Sequence, residues 1–379
     1  MAAPFRPLRI VHISPSTLKI KGGAFMHNVG AKISNGLIRL GHHVVHVSDR
    51  DLARQLSPFG SRKLGTLQAN RFLPQFIATV KPDLLLLGHA DVLWSSTLET
   101  IRASDADLRI AQWNVDPLFE SDNVARINGK IAHCDATFVT TAGPLLDQFR
   151  APGRVVGFMP NPSDPSIERN RNFEKETFSY DLICLAHAPT FARQIGPSFI
   201  SPTELVERFS QLLPEMKLGF SIPEGLLREG VLIGELYDRI QREARMGLNL
   251  SRRNDVYLYS SDRMAHYVAN GLLTFVDRAT GFGDLFGEDE IAFFSTFDEL
   301  VERMREFLGN DALRKDVAYK GWARYHALFD CARVAHFMLG AIGLMAPLSD
   351  CEWQSTLVGS QPVSTGRSVR APHSLHEPS

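Results

Sequence analysis

The chain has 379 residues, 44% of them hydrophobic and 22% charged, with a net charge of −1, which suits two globular domains and argues against a nucleic-acid partner. No run of eighteen apolar residues occurs, and the nearest, 334–348, is broken by His336, Gly340, Gly343 and Pro347, so a membrane span is not expected. Cys134, Cys184, Cys331 and Cys351 are far apart with no Cys-x-x-Cys pair, and the start runs into a strand without an apolar signal core, which points to a reducing cytoplasm without disulfides or a zinc site.

Residues 8–14 (LRIVHIS) read as a buried strand, followed by a loop with Lys19, Lys21, Gly22 and Gly23. Phe25, Val29, Ile33 and Leu37 then share one face of a helix over 24–40 that stops at Gly41, and a second strand covers 42–47. This order opens a Rossmann-type half, although the loop is not GxGxxG and lacks the dinucleotide fingerprint. Beyond it, helices are expected over 72–80, 93–101, 123–134 and 143–149, and strands over 83–87, 109–115, 136–140 and 154–159. Such alternation predicts a parallel sheet covered on both faces.

Residues just past strand ends line the cleft of such sheets, which selects His89, Asp91, Asp116 and the pair Thr140–Thr141. Asp116, in WNVDP, can take a proton from an acceptor hydroxyl, or simply cap a turn before Pro117. His89 is the second base candidate. His27 follows the glycine pair by four residues and either joins the chemistry or packs under the loop.

Residues 160–177 are rich in Pro, Asn and charge and read as a linker. A second sheet starts at 180–185, followed by a loop with Arg193 and Gly196, a helix over 203–213, a strand over 217–222 and a helix over 235–245. Residues 245–278 are the most informative stretch. A strand over 247–251 (GLNLS) leads into a polar loop with Arg252, Arg253 and Asn254, then Ser260, Ser261 and Asp262 cap a short helix that ends at Asn270–Gly271, and an apolar strand follows over 272–276. The helix therefore begins at a parallel-strand mouth, a place that suits anions, with Arg263 in its first turn and His266 one turn on along the same face. Helices over 298–308, 311–329 and 333–344 complete the fold, and 355–379 lacks a hydrophobic pattern.

The 245–278 block, with Arg263, Ala269 and Gly271, then Gly281–Phe286 and the helix over 297–308, resembles the carboxyl-terminal half of group 1 glycosyltransferases, especially the spore-maturation glycosyltransferase-like subgroup. Gly22–Gly23 and the later Gly41–His42–His43–Val44 resemble that family's opening. The resemblance implies the GT-B fold: α/β, two Rossmann-like domains facing across a cleft, with a carboxyl-terminal helix crossing back. It places an acceptor domain at 1–162, a linker at 163–178, a donor domain at 179–330, the crossover helix at 331–348 and a disordered tail at 349–379. It further implies a donor side, read here as Gly22, Gly23, Arg193, Asn249, Ser251, Arg253, Ser261, Arg263 and His266, which would face the strand-end candidates Asp116 and His89 and the loop residue His27. His266 departs from the pattern, since the family carries a Glu there that accepts from donor hydroxyls, and an imidazole has one acceptor nitrogen at most.

The expected function is transfer of a sugar from a nucleotide-activated donor to a glycan, lipid-linked or protein acceptor. No metal is expected, because no Asp-x-Asp pair suits a divalent cation. A non-catalytic nucleotide-sugar-binding module and a sugar-nucleotide epimerase are the alternatives. Residues 1–160 hold 18 basic and 12 acidic side chains and the remainder 23 and 30, so the amino-terminal half favours an anionic acceptor or peripheral contact with an anionic membrane face.

Overall fold

The computed structural model describes residues 6–18, 24–185, 191–221 and 234–359. The first half alternates β1 (Arg9–Ile13), α1 (Val29–Arg39), β2 (His43–Val47), α2 (Asp49–Gln55), α3 (Arg62–Val80), β3 (Leu84–Gly88), α4 (Ser95–Ser104), β4 (Arg109–Asn114), α5 (Ser121–Ile131), β5 (Ala136–Val139) and β6 (Val155–Phe158). The second contains β7 (Tyr180–Cys184), β8 (Arg193–Ile195), β9 (Ser198–Ile200), α6 (Pro202–Leu212), β10 (Leu218–Phe220), α7 (Glu235–Arg242), β11 (Ala244–Asn249), α8 (Arg263–Ala269), β12 (Leu273–Asp277), β13 (Ala292–Phe294), α9 (Phe297–Gly309), α10 (Asp311–Phe329) and α11 (Cys331–Ala341).

The strands form two parallel sheets, β2-β1-β3-β4-β5-β6 and β10-β7-β11-β12-β13. Both are buried on two faces, which is why their strands read as continuous apolar runs. The helices after β1 and β2 begin where a polar side chain takes over the free amides: Asn28 accepts from Gly30 N and Ser48 from Asp51 N.

Three elements differ from the sequence expectation. α2 has one hydrophobic turn and no amphipathic stripe to reveal it. α3 starts ten residues earlier than its apolar spacing suggested, at an N-cap supplied by Ser61. Arg193 lies in a small antiparallel hairpin, β8–β9, instead of a loop.

The two halves share one apolar core. Cys331 and Val334 to Ala341 leave the second domain and lie on α1 so closely that a Cβ on Gly36 would stand 2.1 Å from the Cys331 carbonyl oxygen. The core extends past the helix to Trp353, which is 1% exposed, and Val358 makes a bridge to Val156. Residues 349–359 are therefore built into the amino-terminal domain, which corrects the expectation of a tail from 349. The expected linker is also anchored. Ser163 pairs with Asp330, and Asn172 reaches the carbonyls of Gln241 and Ala244.

Candidate functional site

The carboxyl ends of both sheets face one cleft. On the side of the second domain, Arg263 opens α8, and its guanidinium crosses the mouths of two strands, donating to the carbonyl oxygens of Leu185 at 3.1 Å and Leu250 at 2.5 Å. Among the described residues its Nε has no hydrogen-bond acceptor. Arg193 lies beside it, nearly buried, and its pKa is pushed down to about 10 by burial and by Arg263 and Arg252. Three guanidinium groups thus converge at the ends of β7 and β11. Bringing like charges together partly out of water costs free energy, which Glu120 offsets in part at Arg252 and a bound anion would offset further.

The β8 hairpin carrying Arg193 is fixed by Asn254. The Asn254 amide N–H donates to Gln194 Oε1 at 2.8 Å, and Asn254 Nδ2 donates to the Gln194 carbonyl at 2.6 Å and to Asp277 Oδ2 at 3.2 Å. Ser251 belongs to the same knot, its amide donating to Asn254 Oδ1. Asn249 donates to Ser260 Oγ at 3.1 Å and so holds the loop that precedes α8.

Two expected donor residues, Arg253 and Ser261, are placed differently. Arg253 points away and is gripped by Asp255 at 2.7 Å and 2.9 Å. Arg252 takes the inward place, pairing with Glu120 of the opposite domain at 2.7 Å. Ser261 does not cap α8, because the N-cap is Asp262, whose side chain makes no capping bond. Gly22 and Gly23 lie outside the described residues.

Across the cleft, β3 ends in His89 and Ala90, both with positive φ, 51° and 47°. Non-glycine residues in this region are strained, and such strain gathers where geometry serves a function. His89 Nδ1 is 3.7 Å from Asp116 Oδ2, and Asp116 also accepts from Arg126 at 3.0 Å. Burial lowers the His89 pKa, while Asp116 raises it. The pair can therefore hold a neutral imidazole at pH 7. Tyr259 joins the two walls: its hydroxyl pKa is raised by burial, Arg263 opposes that shift, and Asp116 adds to it. The structure thus brings His89 and Asp116 to the wall facing the arginine cluster.

His266 has a partner that sequence reasoning missed. Its ring is 2% exposed, and Nδ1 donates to Glu168 Oε1 of the linker at 2.8 Å. Glu168 also forms an ion pair with Lys32 of α1, whose Nζ donates to the Pro162 carbonyl at 3.2 Å. The three groups come from the first domain, the linker and the second domain. Burial alone would raise the Glu168 pKa and lower that of His266, yet Lys32 and His266 hold Glu168 at about 2, and the facing carboxylates of Asp262 and Glu168 raise His266. His27 packs edge-on against His266 at 5.6 Å and donates from Nε2 to the Gly234 carbonyl at 3.3 Å. Its pKa is pushed down to about 4 by burial and by His266. His27 and His266 thus lie in the joint between the domains, and His266 gives its Nδ1 proton to the protein itself. A visible signal existed for Lys32 alone, since it falls on the buried stripe of α1 between Val29 and Gly36.

Both Asp-x-Asp pairs are committed locally. Asp49 accepts from Val92 N, Asp51 pairs with Arg54, and Asp105 accepts from the amides of Asp107 and Leu108. Among the described residues no cluster of three metal-ligating side chains occurs, and no helix is long and apolar enough to cross a membrane.

Residues 219–340, which hold β11, α8 and the arginine at its start, match the family model described as glycosyl transferase-like. No curated protein matches the chain by sequence. Among solved structures, the chain is similar to sucrose-phosphate synthase from Thermosynechococcus elongatus, with a TM-score of 0.56 and 12% identity over 87% of this chain and 96% of that one. It is also similar to Anabaena HepE in complex with UDP and glucose, with a TM-score of 0.56 and 12% identity over 89% of this chain and 100% of that one. The fold is GT-B, and its second domain carries a glycosyl transferase-like segment.

Proposed function

We propose that this protein transfers a glycosyl group from a nucleotide-activated sugar to a glycan, lipid-linked or protein acceptor, in the cytoplasm and without a metal ion. The observation that carries the reading is the convergence of Arg193, Arg263 and Arg252 at the carboxyl ends of β7 and β11, inside or beside the glycosyl transferase-like segment. In this reading Arg193 and Arg263 bind the donor's phosphates and stabilise the charge that grows on the nucleoside diphosphate as the glycosidic bond breaks. Fixed cations in a water-poor cleft need no reorganisation to do so. His89, steadied by Asp116, or Asp116 itself, accepts the proton of the attacking hydroxyl from the opposite wall.

The Lys32–Glu168–His266 triad sets the angle between the walls, so His266 acts on the donor through domain placement. The excess of basic side chains in residues 1–160 favours peripheral contact of the amino-terminal domain with an anionic membrane face. Calorimetric titration with uridine and guanosine diphosphate sugars, followed by donor-consumption assays, tests the assignment. Uridine donors come first, since HepE was solved with UDP. Binding without any turnover across donors and acceptors would favour a non-catalytic module, and interconversion of donors without acceptor would favour an epimerase.

A further inference from the structure

Residues 52–82 contain five basic side chains, Arg54, Arg62, Lys63, Arg71 and Lys81, and no acidic one. Arg54 is paired with Asp51, whereas Arg62, Lys63 and Arg71 are exposed and make no ion pair among the described residues. The same segment holds large apolar groups in water: Phe59 is 82% exposed, Leu64 56% and Leu67 40%. Leu64, Leu67 and Arg71 fall on one face of α3 at helical spacing, and Phe59 precedes the helix in the turn from α2. A soluble surface rarely gathers apolar groups of this size within so one-sided a charge.

The fold places this face at the cleft. α3 runs back toward the start of β3 and is therefore antiparallel to it. Asn70, in the middle of α3, holds the segment just after β3, accepting from the Trp94 amide at 2.9 Å and donating to the Val92 carbonyl at 2.9 Å. Asn70 is thus level with the carboxyl end of the sheet. The eight residues before it rise past that end by about 12 Å at the α-helical rise per residue. Phe59, Arg62, Lys63, Leu64 and Leu67 accordingly form the outer rim of the acceptor wall, on the side of the sheet where His89 and Asp116 lie.

We propose that this rim is a docking surface for an anionic lipid bilayer, in which Phe59, Leu64 and Leu67 enter the headgroup boundary while Arg62, Lys63 and Arg71 meet lipid phosphates. The absence of acidic residues over 52–82 matches the sign of such a surface, and the apolar groups supply what a purely electrostatic contact lacks. Docking in this pose turns the cleft mouth toward the lipid, so that an acceptor carried by a lipid reaches His89 and Asp116 without leaving the bilayer. The proposal rests on the membrane contact offered above and specifies its residues.

Sedimentation of the full chain with vesicles tests it in the absence of donor, so its outcome is separate from that of the donor titrations. We expect binding to phosphatidylcholine vesicles containing about 30% phosphatidylglycerol, weak binding to pure phosphatidylcholine, and release by salt. Phe59→Ser with Leu64→Ser, and separately Arg62→Glu with Lys63→Glu, should each lower the vesicle-bound to free ratio by at least about tenfold. Melting temperature and nucleotide binding should stay as in the unaltered protein, because all four side chains are exposed. Equal binding to both vesicle types, no binding to either, or unchanged binding of both variants would overturn the assignment. So would a dimer that the apolar variant abolishes while vesicle binding is absent, since the face would then join two copies of the chain.

Discussion

Glu168, on the connection between the domains, accepts a hydrogen bond from His266 of α8 at 2.8 Å, and neither side chain is more than marginally exposed. With Lys32 as the third member, the arrangement is a buried ionic joint. Such joints add little stability compared with apolar packing, but losing one partner strands the others.

The joint gives stability a pH window. The Glu168 pKa is depressed from 4.5 to about 2, so its contribution is full above about 4.5 and is lost as pH falls toward 2. The His266 pKa is raised above 6.5, so its contribution is full below about 6.5 and is lost as pH rises through the folded value. Both contributions coincide between about pH 4.5 and 6.5. Thermal melts should show the joint's contribution largest there, as the difference between the unaltered protein and Glu168→Gln. Glu168→Gln should cost about 3–5 kcal/mol, the range for breaking a buried ion pair. A difference that does not vary with pH would show that the triad is not ionised as described.

Replacing Arg193 with Gln should weaken nucleotide diphosphate binding by about 1.5–3 kcal/mol, the range for a hydrogen bond to a charged group. Arg263→Ala should do the same and also lower the melting temperature, because the carbonyls of Leu185 and Leu250 lose their donor. Calorimetry and melting curves on both variants separate the two effects. Unchanged affinity in both would remove the arginine cluster from donor binding.

Asp116→Asn should lower the transfer rate by about a hundred- to ten-thousandfold, the usual contribution of a positioned base. Nucleotide affinity should hardly move, since Asp116 is on the acceptor wall. His89→Gln keeps the side chain's length and hydrogen-bonding capacity but removes the imidazole. If Asp116 alone is the base, that variant retains most of the activity. Comparing the pH–rate profiles of the two variants identifies the group.

A chain ending after Leu348 should be strongly destabilised, because it loses Trp353, and removal of a large buried aromatic costs about 3–5 kcal/mol. One ending after Gly359 should melt like the full chain, since residues 360–379 have a composition too polar to bury much apolar surface. Differential scanning calorimetry of the two truncations checks both statements.

The two-sheet architecture was legible because parallel strands buried on both faces print themselves as apolar runs, as in 84–87 and 272–276. The unit around α8 was legible for a local reason: cap residues, helix and strand lie within thirty residues of each other. What escaped detection depends on distance along the chain. Glu168 sits in a run that reads as loop, and its partner His266 is 98 positions away, so nothing nearby marks the carboxylate as buried. The carboxylate that meets the His266 ring is thus supplied by the connecting segment and not by α8. Arg252 and Arg253 are adjacent and chemically alike, and only Asp255 and Glu120 decide which one turns inward.

The seating of Cys331 on Gly36 and of Trp353 in the first domain's core bears on how the protein is made. When the amino-terminal sheet emerges from the ribosome, the face bearing Leu84, Leu86, Ala111 and Phe138 is covered in part by Ile33 and Leu37 of α1, but its other partners Phe337, Met338 and Trp353 are not yet synthesised. At usual elongation rates the intervening domain takes roughly ten to thirty seconds to appear. During that interval the nascent chain offers an apolar surface to whatever binds such surfaces, and the arrival of Phe337, Met338 and Trp353 withdraws it.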